Sequence, residues 1–409
     1  MNTVDFYFDF SCPYAYLAST QLSRVAERTG AEVIIKPMLL GGVFRANEVP
    51  QNLAASLGPA KARHNAYDLQ RHAALWDVPY SMPMGHPFRT VEALRSLLVV
   101  GPPFQPLMDA FYRAYWVEGR DIGKAEVVID VLDRAGHDGK AVLAATQEPR
   151  IKDELRTRTD EAIDAGLFGA PGFVVDGQLY WGQDRIWEVE NALGVAREPL
   201  PASSALHPSD FYFDFSSPFA CIGFQKVERI FGASTTLMPM LLGGVFKMVG
   251  TNNVPLFSFS ASKKRWVQKD MERQAEQVDF NLKWPKRFPV NSVRALRVAL
   301  QIQASHEEAL YPYCHKVFQA YWSEQRDIAE AEEIKAICQE LGLDGEGLLE
   351  GTADPAVKGL LIETTSKAVA AGVFGAPTTV VHVPGKEAAL FWGADRMEIA
   401  HAMASGRLI

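Results

Sequence analysis

One block of this chain is written twice. Asp5 to Cys12 reads DFYFDFSC and Asp210 to Ser217 reads DFYFDFSS, seven of eight residues in common at a separation of 205 positions. PMLLGGVF then recurs unchanged at Pro37 to Phe44 and Pro239 to Phe246. GLFGAP (Gly166 to Pro171) is matched by GVFGAP (Gly372 to Pro377), and WGQDR (Trp181 to Arg185) by WGADR (Trp392 to Arg396). Four motifs matched in one order, in repeats far longer than a solenoid unit, describe a tandem duplication of a domain of about 200 residues. The 409 residues accommodate two such domains, each large enough to bury its own core. The segment from Gly194 to Ser209, rich in Pro, Ala and Ser, reads as a connection. The expected organisation is a first copy over 1–194, a linker over 195–208 and a second copy over 209–409.

Composition narrows the class. With 48% apolar and 22% charged residues the chain is an ordinary globular one, and its net charge of -8 is spread along the sequence, which argues against nucleic acid or an anionic membrane as partner. The start, MNTVDFYFDF, carries no basic stretch ahead of an apolar run, so a cytosolic protein is expected. Cys12, Cys221, Cys314 and Cys338 form no C-x-x-C pair and the nine histidines show no ligand spacing, so neither a disulfide framework nor a metal is expected.

The first copy reads as an α/β pattern. Val4 to Phe10 alternates and is aromatic-rich, a strand; Pro13 opens a helix running to about Thr29; Glu32 to Met38 is a second strand. From about Asn52 to Ala165 the period is helical, with segments near Pro59–Leu75, Thr90–Val100, Gln105–Trp116 and Lys152–Ala165. Gly172–Val175 and Gln178–Trp181 form a hairpin turning at Asp176-Gly177, and a last helix begins near Asp184. The order β-α-β, helical insertion, β-β-α is the thioredoxin plan interrupted by a helical domain. The fold class is therefore α/β, two tandem thioredoxin-like domains each interrupted by a large helical insertion.

Four places in each copy could carry chemistry. Cys12-Pro13 and Ser217-Pro218 sit where a strand passes into a helix, so Cys12 and Ser217 fall at the N-cap, where unpaired N–H groups and the helix dipole favour negative charge. Such a position is expected to lower the pKa of the Cys12 thiol, and to let the Ser217 hydroxyl donate to a thiolate carried by a ligand. Ala170-Pro171 and Ala376-Pro377 precede strands, a turn or cis position facing the helix N-terminus, where exposed backbone can pair with an extended thiol peptide. In WGQDR and WGADR, Asp184 and Asp395 are candidate N-caps of the last helix or holders of the charged end of a small peptide. After GGVF come Arg45 in the first copy and Lys247 in the second, cations leaving a strand end that suit a carboxylate or developing enolate. The helices around Pro59–Arg71 and Ser262–Gln274 are amphipathic, with charges, Asp270 and Arg273 included, expected as surface pairs.

At these motifs the chain resembles the 2-hydroxychromene-2-carboxylate isomerases and the kappa-class glutathione transferases of the DsbA-like thioredoxin superfamily, over nearly the whole of both copies. The resemblance implies glutathione as cofactor and a small-molecule substrate from aromatic catabolism. It implies that Ser217, with Cys12 at the matching place, acts on the sulfur; that Lys247 (Arg45 in the first copy) lies on the substrate side; and that Asn253, with Asn47 as counterpart, contacts the cofactor. It further implies that Ala376 and Pro377, or Ala170 and Pro171, pair with the cysteinyl group. Trp392, Gly393, Ala394 and Asp395, or Trp181, Gly182, Gln183 and Asp184, would hold the γ-glutamyl end.

The copies differ where it matters. The second keeps Ser217, Lys247, Asn253 and Asn291; the first has Cys12, Arg45 and Arg89 opposite Asn291. A tyrosine usual on the helix after GGVF is Trp266 in the second copy and His64 in the first, implying a reshaped substrate pocket. The second copy is thus expected to run a glutathione-dependent isomerisation by thiolate addition to a conjugated carbonyl. The alternatives are kappa-like conjugation, a one-thiol disulfide or glutathionylating activity at Cys12, since Cys12-Pro13-Tyr14-Ala15 has no second cysteine, and a first copy serving as a non-catalytic partner in an internal pseudo-dimer, with further homo-oligomers open.

Overall fold

The computed structural model describes residues 2–51, 56–198, 200, 205–251 and 254–408. The first copy runs β1 (Thr3–Phe8), α1 (Pro13–Ser19), α2 (Leu22–Thr29), β2 (Glu32–Pro37), α3 (Leu40–Ala46), α4 (Pro59–Leu75), α5 (Val91–Val100), α6 (Gln105–Trp116), α7 (Ala125–Arg134), α8 (Gly139–Ala145), α9 (Pro149–Asp164), β3 (Gly172–Val175), β4 (Gln178–Trp181) and α10 (Ile186–Ala192). The second repeats it with β5 (Ser209–Phe213), α11 (Pro218–Phe231), β6 (Thr235–Pro239), α12 (Leu242–Val249), α13 (Ala261–Glu276), α14 (Val293–Ser305), α15 (Glu307–Trp322), α16 (Ala331–Glu340), α17 (Gly345–Gly351), α18 (Pro355–Ala370), β7 (Thr378–Val381), β8 (Ala389–Trp392) and α19 (Met397–Ala404). Each sheet has four strands, ordered β2-β1-β3-β4 and β6-β5-β7-β8, the first pair parallel and the others antiparallel. The two thioredoxin-like folds with helical insertions are as expected. So is the hairpin, where Asp176 and Gly177 both take positive φ, as a two-residue turn of this kind requires.

Aromatic alternation builds the core and then reaches the site. Phe211, Phe213 and Phe215 occupy one face of β5 and its continuation and are fully buried, each contributing about 1.5–3 kcal/mol of burial. Trp322, from α15, donates its indole N–H to the Phe215 carbonyl at 2.8 Å; Trp116 does the same for Phe10 at 2.9 Å. The helical insertion therefore clamps the backbone two residues before Ser217 and Cys12.

Some local expectations need correction. The helix from Pro13 breaks after Ser19, where Ser19 and Thr20 hydroxyls bond back to the Tyr16 and Leu17 carbonyls and compete with the ladder; α11 runs unbroken for 14 residues. GGVF is no strand end: it lies inside α3 and α12. Of the glycines there, Gly42 is required by close packing, since a Cβ on it would stand 2.8 Å from Thr159 Cγ2. Asp184 and Asp395 are not N-caps; Arg185 and Arg396 hold those positions, because WGxD is used in a turn. Nor are Asp68 and Asp270 surface charges, since each carboxylate is buried.

The chain forms two compact units whose membership departs from sequence order. The first comprises Met1–Leu57, Leu69–Pro199 and Phe259–Val267; the second comprises Gly58–Asp68, Leu200–Ser258 and Gln268–Ile409. The start of α4 thus belongs to the second unit and the start of α13 to the first. Among the described residues, no helix is long and apolar enough to cross a membrane.

Candidate active site

Ser217 caps α11 with extended backbone and Pro218 as the first helical residue. Its hydroxyl accepts the Ala220 N–H at 3.1 Å and donates to the Ala376 carbonyl at 3.2 Å. One small buried hydroxyl therefore lies between the positive end of a helix and the residue before Pro377, whose peptide bond is cis, as is that of Ala170-Pro171.

Cys12 occupies the same place in the first copy and behaves differently. Its sulfur donates to the Ala170 carbonyl at 3.1 Å, and α1 gains no side-chain cap from it. Burial pushes the thiol up to about 12, outweighing the N–H groups of Ala15 and Tyr14, and the nearby Asp9 charge adds to the rise. The expected low-pKa thiol is overturned: the side chain is only 8% exposed, and desolvation of a thiolate there outweighs the helix dipole. Because the rise is from 9.0 to about 12, Cys12 in the folded chain should alkylate about a thousandfold more slowly than in the denatured chain near neutral pH. The rate should climb with pH throughout the range tested. Iodoacetamide labelling followed by mass spectrometry measures this, and rates within tenfold of each other would refute it.

From Ser217 a continuous wall leads to the WGADR corner. Gly393 N–H donates to the Pro377 carbonyl at 2.9 Å, as Gly182 does to Pro171 at 3.0 Å. Both glycines have φ of 110°, a conformation L side chains rarely adopt, and a Cβ on Gly393 would collide with Asp395 Oδ1. Trp392 lies so close to Gly375 that a side chain there would meet its indole nitrogen. The GAP and WGAD motifs are thus one object, with Ala376, Pro377, Trp392, Gly393, Ala394 and Asp395 in a single bend. Ala170, Pro171, Trp181, Gly182, Gln183 and Asp184 make its counterpart in the first unit.

In the second unit this corner is finished by residues the sequence reading did not connect to it. His64 Nε2 accepts the Trp392 N–H at 3.1 Å, and its ring meets Phe374 and Trp392 edge-on, so His64 lines this corner rather than a substrate pocket of its own copy. Lys61 Nζ stands 4.8 Å from the centre of the Trp392 ring, its pKa lowered by burial. Asp68 takes Arg396 in a bidentate pair at 2.8 and 3.2 Å. In the first unit, Trp266 packs edge-on to Trp181 and Lys263 lies 5.7 Å from that ring. Helical spacing of Lys61, His64 and Asp68 was visible; what they pack on was not.

The remaining candidates are more scattered. Lys247 and Arg45 are exposed on α12 and α3. Asn291 is exposed, its Oδ1 accepting the Val293 N–H at 3.1 Å, and Arg89 pairs with Glu92 at 2.8 Å. Asn47 donates to the Val43 and Leu167 carbonyls, tying α3 to the GLFGAP segment. Asn253 lies outside the described residues. No group of three His, Cys, Asp or Glu side chains suited to a metal occurs among the described residues.

Comparison with known proteins identifies the family. The DSBA-like thioredoxin domain family matches residues 3–194 and again 210–403. Human glutathione S-transferase kappa 1 is 31% identical over 217 residues, 50% of this chain and 92% of the human protein. The 2-hydroxychromene-2-carboxylate isomerase of Sphingobium xenophagum is 28% identical over 200 residues, 47% of this chain and 98% of that enzyme. Each relative corresponds to about one copy. This chain, a tandem duplication, therefore belongs to the DSBA-like thioredoxin domain family, in the group that holds the kappa glutathione transferases and the 2-hydroxychromene-2-carboxylate isomerases.

Proposed function

We propose that the protein is a glutathione-dependent enzyme whose second unit catalyses isomerisation of a conjugated carbonyl compound. The observation that carries this reading is the Ser217 hydroxyl, buried at a helix N-terminus and already hydrogen-bonded to the carbonyl of the residue before cis-Pro377. The fit to a thiol tripeptide rests on this chain's own groups: a hydroxyl donor at one end of the wall and a half-buried ammonium, Lys61, at the other. When bound, glutathione would supply a sulfur nucleophile for reversible addition to a conjugated carbonyl, an isomerisation with no net redox.

Ser217 turns its proton from Ala376 toward an anionic sulfur, and the N-terminal N–H groups of α11 add to the same field. Ala376, Pro377 and Asp395 frame the peptide backbone. Lys61 recovers its ordinary basicity beside a carboxylate, which offsets its desolvation. Lys247 and Asn291 face the second substrate, Lys247 steadying its carboxylate or enolate oxygen. The first unit, with its neutral Cys12, Arg45 and Arg89, is the partner that does not carry this reaction. The four buried, unpaired cysteines suit a reducing compartment, and we place the protein in the cytosol.

Conjugation is the second reading, favoured by the 31% identity to a kappa glutathione transferase, since it needs the same anionic sulfur. Incubation with a cis-configured conjugated aryl ketone and reduced glutathione separates the two. Product of unchanged mass supports isomerisation, a stable glutathione adduct supports conjugation, and no turnover of either kind sinks both. Lys61→Met should weaken reduced glutathione by roughly 10- to 100-fold in calorimetry, the loss of one charge-assisted hydrogen bond; unchanged affinity would remove Lys61 from the site.

A further inference from the structure

Asp214 is a buried carboxylate that the reaction does not use, and its placement is costly. In the first copy the matching Asp9 charge works against a thiolate at Cys12, so a negative charge at Asp214 opposes the anion the proposed function needs. What it holds explains it. One oxygen accepts the Ser216 N–H and hydroxyl, both at 2.9 Å, and the other accepts the Leu242 N–H at 2.7 Å. Ser292 donates to the carboxylate as well. These donors lie on three separate segments: the turn ending in Ser217, the first turn of α12 that bears Lys247, and the residue between Asn291 and α14. Asp9 repeats the arrangement with Ser11, Leu40 and Thr90.

We infer that Asp214 is a positioning residue of the reactive site, a single hub that fixes Ser217, Lys247 and Asn291 relative to one another. The inference rests on the proposed function of the second unit. Both oxygens act only as acceptors here, so an amide cannot replace the carboxylate: its NH2 group must face either the Leu242 or the Ser216 N–H. Asp214 itself bonds none of Ala376, Pro377 and Trp392 among the described residues, and the hub reaches that wall only through the Ser217 hydroxyl on the Ala376 carbonyl, so most of the peptide's contacts do not depend on it.

The test is Asp214→Asn in the full chain, with Asp9→Asn reporting the purely structural cost of breaking such a hub. Kd for reduced glutathione is measured by calorimetry, and kcat and KM with a conjugated aryl ketone or a chlorodinitrobenzene conjugation assay. For Asp214→Asn we expect kcat/KM to fall about a hundredfold, as misplacement by about an ångström does, with glutathione affinity held within about threefold. An electrostatic role would instead raise activity, because removal of the charge favours the sulfur anion. Asp214→Asn activity within twofold of the parent, or an equal loss in Asp9→Asn, overturns the inference. If Asp214→Asn does not fold, Ser292→Ala carries the test by cutting one tether: KM for the electrophile should rise about tenfold, and unchanged KM and kcat overturn the idea. Full activity in Ser217→Ala would sink the proposed function, whereas loss there with none in Asp214→Asn sinks only the hub.

Discussion

Ser217→Ala is expected to lower kcat/KM of the glutathione-dependent reaction by about a hundred- to a thousandfold, the range seen when one preorganised donor to a developing anion is deleted. The structural cost is separate and small. Loss of the N-cap bond to Ala220 costs about 1 kcal/mol, which moves the melting temperature of a unit this size by about 2–4 °C. The pH profile carries the stronger signature. In the parent, the hydroxyl and helix end favour the anionic sulfur, so activity reaches its plateau below the ordinary thiol pKa of about 8.5. In the variant the plateau shifts upward, and the activity ratio between variant and parent therefore grows as pH rises. Activity above about a third of the parent at pH 7 would remove the hydroxyl from the mechanism.

Asp68→Ala should produce the largest change in stability. Asp68 and Arg396 are almost wholly buried as a bidentate pair, and removal of one partner from a buried pair costs about 3–5 kcal/mol because the other charge remains. Asp395, 3.5 Å from Arg396, retains part of the compensation, so the low end applies: about 3 kcal/mol, or roughly 6–12 °C in the melting temperature of the second unit. Asp68→Ala combined with Arg396→Met should recover part of the loss, since no buried charge is then left alone. Calorimetric scanning of the single and double variants checks both. A shift below about 2 °C for Asp68→Ala would mean that the pairing contributes little, and that residues 58–68 do not secure the second unit.

Much of the fold was legible in the residues. The duplication, the strand of alternating phenylalanines, the Asp176-Gly177 hairpin and the four insertion helices read in the first copy each follow from local rules of spacing and turn chemistry. The GAP and WGAD motifs were also recognisable as unusual backbone, because glycine at a close approach and proline before a strand have few other uses. Asp214 was in plain view within DFYFDF, yet nothing in its neighbours announced that Leu242 and Ser292 would converge on it. Those contacts span 28 residues or more in sequence, and spacing carries no information over that range.

By itself the sequence determined most of the helix and strand segments, that the plan is repeated, and that one copy offers a hydroxyl where the other offers a thiol. Only the tertiary structure decided that Cys12 is a neutral, desolvated thiol, and that the α4 residues Lys61, His64 and Asp68 complete the Trp392 corner of the second unit. The reason is the same in both cases. Helical periodicity specifies which face of a segment leaves water but not which core receives it, and a pKa is set by the surroundings that choice supplies.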